Sequence, residues 1–130
     1  MKRNLTDVNY LQKIVNRYRK RLGINPSYIV KIEIVPDITW NRDKSLRDSN
    51  AALLEDTDHP KYTIQIRKNF LEEEKDNYRE VTQYLVHELL HIIFGEVLKD
   101  LKRNYSYDQD GMIEEKLVMQ MARAIVLTKD

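Results

Sequence analysis

The chain has 130 residues, 42% of them apolar and 33% charged, with a formal net charge of +1 and no cysteine. This composition supports one hydrophobic core and excludes a disordered polymer. It also excludes disulfides, thiol catalysis and cysteine-based metal sites, and the near-neutral charge argues against a dedicated nucleic-acid binder, which would carry a strong basic excess.

No apolar signal-type stretch follows Met1-Lys2-Arg3-Asn4. No apolar run approaches the ~20 residues that span a bilayer. A cytoplasmic protein with no membrane partner is therefore expected. Leu11, Ile14, Val15, Tyr18 and Leu22 recur at helical spacing. Thr6 or Asp7 can cap this first helix and Gly23 can end it. Its other face carries Lys13, Arg17, Arg19, Lys20 and Arg21 and reads as solvated; nothing downstream reinforces it as a nucleic-acid surface.

Ile29 to Val35 alternates as a strand and stops at Pro36. Residues 37 to 49 are polar and read as a loop, with Trp40 as a packing anchor. Ala51 to Glu55 is a weaker strand, Asp56 to Pro60 has turn chemistry, and Tyr62 to Arg67 is a clean alternating strand. These last two strands are expected to form an antiparallel hairpin. After the charged segment Glu72 to Asp76 comes a long helix, Tyr78 to Lys102, then a polar loop. A final helix, Met112 to Leu127, carries the stripe Leu117, Val118, Met121, Ala122 and Ile125. The expectation is one α+β domain over residues 1–130: a helix, a three-stranded, mainly antiparallel sheet, and two helices.

Inside the long helix, His87-Glu88-Leu89-Leu90-His91 interrupts an apolar run. Ionisable groups in such a run are costly unless something satisfies them. Residues four apart stack on one helix face, so both imidazoles can reach one metal ion, with Glu88 beside them. This is the H-E-x-x-H arrangement, in which two histidines bind zinc and the glutamate is a general base. Shuffling this composition gives the pattern in roughly 0.3–0.4% of chains. The competing readings are core histidines satisfied by hydrogen bonds, and a metal site without catalysis.

Catalytic zinc takes a third protein ligand and keeps one position open. Position 97, where a metzincin has its third histidine, is Val97, and Phe94 replaces the glycine of that motif. The remaining histidine, His59, lies in a turn and reads as solvent-exposed. Glu96 and Asp100 share the helix of the histidine pair, which carries them away from it. A carboxylate on a later element is expected, and Glu114 and Glu115 open the final helix. Periodicity slightly favours Glu114 as the inward residue; the other would be a solvated first-turn acid.

The His87–His91 motif together with Glu115-Lys116-Leu117-Val118-Met119-Gln120-Met121-Ala122 resembles the small single-domain, gluzincin-like metallopeptidases of zincin fold, many of them encoded by phages or prophages. The resemblance spans the chain in element order. It implies Glu115, rather than Glu114, as third ligand, with His87, His91 and Glu115 holding one Zn2+ per chain. It implies hydrolysis of a peptide or protein substrate, with Glu88 as general base on metal-activated water. It also implies a substrate lying extended along an edge strand, here Lys61 to Arg67. Tyr105 or Tyr107 is a candidate donor to the oxyanion. The departure is at Val118 and Met119, where the family often has a small residue and then Asp or Asn. The alternative is a zinc-bound but catalytically silent module that binds a protein partner.

Overall fold

The computed structural model describes residues 4–40, 49–56, 60–104 and 112–129. The first helix, α1 (Val8–Arg21), starts at Asp7, whose side chain accepts the Asn9 N–H. It stops at Gly23, which has φ +73°. There the Gly23 N–H donates to the Lys20 carbonyl and the Ile24 N–H to the Arg19 carbonyl, the paired bonds of a Schellman motif. Leu11, Ile14, Val15 and Tyr18 form its buried face.

Strand β1 (Ile29–Val35) has the expected bounds. The next segment holds a short helix, α2 (Asp37–Trp40), where a loop was expected. Trp40 is buried, and its indole N–H donates to the Ser49 carbonyl, as suits a packing anchor. Strands β2 (Ala51–Asp56) and β3 (Lys61–Arg67) form the expected antiparallel pair. A second short helix, α3 (Lys68–Glu73), buries Phe70 and Leu71 ahead of the charged turn. Helix α4 (Tyr78–Asn104) starts at Asn77, whose side chain accepts the Glu80 N–H. Helix α5 (Met112–Lys129) is the last of the described elements.

The α+β class is as expected, but the strand order is not. The sheet runs β1-β3-β2, with β1 parallel to β3 and β2 antiparallel to it. It is a mixed sheet, not a mainly antiparallel one. Lys61 to Arg67 is its central strand. Both of its edges are already hydrogen-bonded, so it cannot be the edge along which a substrate lies. The long connection after β1 lets the chain return on the far side of β3, which explains the parallel pairing.

The two edges of the sheet differ. The Gln12 side chain of α1 donates to the Val30 carbonyl and accepts the Ile32 N–H, so it caps the middle of β1. Among the described residues no strand pairs with the outer edge of β2. The inner face of the sheet (Val30, Ile32, Tyr62, Ile64 and Ile66) packs with α1 and α4 into one core cluster. Helix α4 is central: it packs against α1, β2 and α5, with Val81, Leu85, Val86, Leu89 and Leu90 buried. Helix α5 meets it through Val118, Ala122 and Val126, while Leu117 and Met121 of the expected stripe are exposed. The inner face of α5 therefore keeps Val118, Ala122 and the partly buried Ile125 of the expected stripe and adds Val126. Among the described residues no helix is long and apolar enough to cross a membrane.

Candidate metal centre

The central position of α4 explains how the motif is presented. Leu85, Leu89 and Leu90 turn into the core. On another face of the helix, Tyr84, His87, Glu88 and His91, each three or four residues from a neighbour on that face, line one cleft. The opposite wall is one face of α5, where Glu115, Met119 and Arg123 are each four residues apart. Glu115 lies by His87 and His91, and Glu80 and Arg123 also line the cleft. Ser49, Asn50 and Ala51, at the start of β2, close the third side of a cleft of about 460 Å³.

At one end of the cleft, three donor groups converge. His87 Nε2 lies 2.8 Å from Glu115 Oε1, and His91 Nε2 lies 3.0 Å from Glu115 Oε2. The two Nε2 atoms are 3.2 Å apart. His91 also meets α5 through its other nitrogen, with Nδ1 2.7 Å from Glu114 Oε2. Among the described residues, His87, His91 and Glu115 form the group whose ligand atoms could hold a metal ion. His59, Tyr105 and Tyr107 lie outside the described residues. Glu96 and Asp100 fall on α4 beyond the motif.

The chemistry of this donor set fits a cation. His91 faces carboxylate oxygens through both ring nitrogens, and His87 faces one through Nε2. A neutral imidazole has one N–H, so it can satisfy one of two such contacts. Something positive, an extra proton or a metal ion, belongs where the two Nε2 atoms and the Glu115 carboxylate meet. The spacing is close to what zinc requires. Bonds of 2.0–2.1 Å in a tetrahedron separate neighbouring donors by about 3.3 Å.

Electrostatics set the protonation states. Burial holds His87 below its ordinary pKa against the opposing pull of the Glu115 carboxylate, and His91 adds to the lowering. The neutral form, with a lone pair to offer a metal, is thereby favoured. Glu88 is 6% exposed. Burial pushes its carboxyl up to about 7, with His91 pulling it down and Glu115 pushing it up. Beside the group that could hold a metal ion stands a carboxyl whose proton equilibrium lies near neutrality.

Of the two adjacent glutamates, the one that periodicity favoured is the inward one. Glu114 is the more inward, with 17% of its side chain exposed against 50% for Glu115. Yet the more exposed Glu115 reaches both Nε2 atoms, because it points along the cleft, whereas Glu114 points at the flank of His91. Sequence reading missed Tyr84 and Asn50, whose side chains are hydrogen-bonded at 3.2 Å on the cleft wall. The Tyr84 ring packs edge-on against Phe70. Its spacing of three before His87 was the signal available, since that spacing puts both residues on one helix face. No family model, curated protein or solved structure matches this chain.

Proposed function

We propose that the chain is a zinc-dependent peptidase of the zincin type, with His87, His91 and Glu115 as the protein ligands and Glu88 as general base. The observation that carries this reading is the crowding of His87 Nε2, His91 Nε2 and the Glu115 carboxylate within 2.8–3.2 Å, a set that calls for a cation. A zinc ion held there would act as a Lewis acid on a water and on the scissile carbonyl.

The rest falls to the chain's own side chains. Glu88, buried beside the ligands and poised near neutrality, takes a proton from the attacking water and delivers it to the leaving amine. Both His ligands come from a helix locked into the core on its other faces, so they are positioned before substrate arrives. The half-exposed Glu115 leaves one side of the site open to solvent. Substrate lies along β2 rather than β3: the β2 edge is unpaired among the described residues, and its first residue, Ala51, lines the cleft. A peptide can add there as a further strand, through main-chain hydrogen bonds.

Glu88→Gln is the test. The variant should keep one zinc per chain and lose at least 100-fold in peptide hydrolysis, the usual weight of a general base. Cleavage at the wild-type rate would remove Glu88 from the mechanism. Zinc bound equally by both proteins, with no hydrolysis of any peptide library by either, would favour the silent zinc-binding module.

A further inference from the structure

His91 is gripped at both ring nitrogens by consecutive residues of α5. Glu114 Oε2 lies 2.7 Å from Nδ1, and Glu115 Oε2 lies 3.0 Å from Nε2. The contact to Glu114 is the shortest of the cluster. It is also well shielded, with each side chain 17% exposed. A short hydrogen bond to a shielded carboxylate keeps the proton on the Nδ1 side of the ring and leaves the Nε2 lone pair facing His87 and Glu115. At Met119, one turn beyond Glu115, the side chain offers no carboxylate or amide to perform such a task.

We propose that Glu114 is a positioning residue of the metal centre: it fixes the tautomer and ring orientation of His91, while Glu115 supplies the ligand oxygen. The proposal rests on the metal-centre reading above. An outer carboxylate of this kind holds its histidine in the orientation and tautomer that bind the metal. The pair sits on the first turn of α5, so a single helix carries a ligand and the support of another ligand. Substitution at one position should not be mimicked by substitution at its neighbour.

The test is a competitive zinc titration against a chromophoric chelator, on the full-length chain, for wild type, Glu114→Ala, Glu114→Gln and Glu115→Ala. Wild type should bind one zinc. Glu114→Ala should still bind one, 10- to 100-fold more weakly. Glu114→Gln should lie between these two, because the amide oxygen can still accept the Nδ1–H without the charge. Glu115→Ala should fall furthest. Long-range 1H–15N spectra of the zinc-loaded proteins give a readout that stability alone does not move. Wild type should show His91 protonated at Nδ1 and metal-bound at Nε2, and Glu114→Ala should show a mixture. Wild-type affinity in Glu114→Ala, or His91 bound through Nδ1 in the wild type, would overturn the proposal and leave the metal centre standing. Loss of zinc in Glu114→Ala as complete as in Glu115→Ala, with the protein folded, would make Glu114 a ligand instead. A wild-type chain that binds no zinc would sink the metal-centre reading, and this proposal with it.

Discussion

Glu88 shows how a single residue's environment becomes measurable. In the chain without metal its folded pKa is about 7, against an ordinary value of 4.5. The folded state holds this proton more tightly than the unfolded state does. Below pH 4.5 both states keep it and stability is unaffected. As pH rises from 4.5 to 7 the unfolded state releases it first, so stability falls; above 7 the full cost remains. That cost is about 3 kcal/mol. Glu88→Gln has no such proton to lose. In urea unfolding with chelator present, the variant should gain on wild type between pH 4.5 and 8 by roughly that amount. A difference that stays constant across this range would show that Glu88 is solvated. At this scale the sequence was informative wherever spacing along one helix sufficed: His87, Glu88 and His91 share the α4 cleft face. It was uninformative where a contact depends on how two helices rotate against each other. The Glu114–His91 bond spans 23 residues of chain, and it depends on how α5 is rotated against α4.

Among the elements, α5 brings Glu115, one of the three proposed ligands, to the site through its packing on α4. Ala122 is 1% exposed on the face that α5 turns inward. Ala122→Leu adds three carbons where there is no room. It should cost about 1–3 kcal/mol, the usual range for overpacking. It should also weaken zinc binding, although it touches no ligand, because it displaces the helix that carries Glu114 and Glu115. Leu117→Ser, on the exposed side, should leave stability within about 0.5 kcal/mol. Thermal melts and zinc titrations of both variants check this contrast; equal effects from the two would mean that α5 docks by another face. The elements themselves were largely legible. Alternation marked β1 and β3, and capping chemistry at Asp7 and Gly23 marked the ends of α1. Strand order was not, because alternation says which face is buried and nothing about which strand lies in the middle. A hint did exist: β2 ends in the acidic pair Glu55-Asp56, whereas β3 keeps its alternation throughout, and the structure exposes the first and buries every second residue of the other.

For the whole molecule, zinc and fold should be coupled. The proposed ligands come from α4 and α5, so an ion bound there would join two elements that the unfolded chain leaves apart. Zinc at 1,000 times its dissociation constant should stabilise the chain by about 4 kcal/mol. For a chain of this size that raises the melting temperature by roughly 12–20 °C. Chelator should reverse the shift, and Glu115→Ala should show little of it. A melting temperature that zinc leaves unmoved would mean that the site does not close around the ion.

The Gln12 clamp on β1 has a consequence for assembly. Filament growth by strand addition needs two open edges, one to receive and one to offer. Here the Gln12 side chain of α1 occupies the hydrogen-bonding groups of Val30 and Ile32, and among the described residues β2 is left as the receptive border. Two copies meeting through β2 would pair like with like and finish as a closed dimer. Self-association through this sheet is thereby self-limiting, and it would compete with whatever peptide uses the same border.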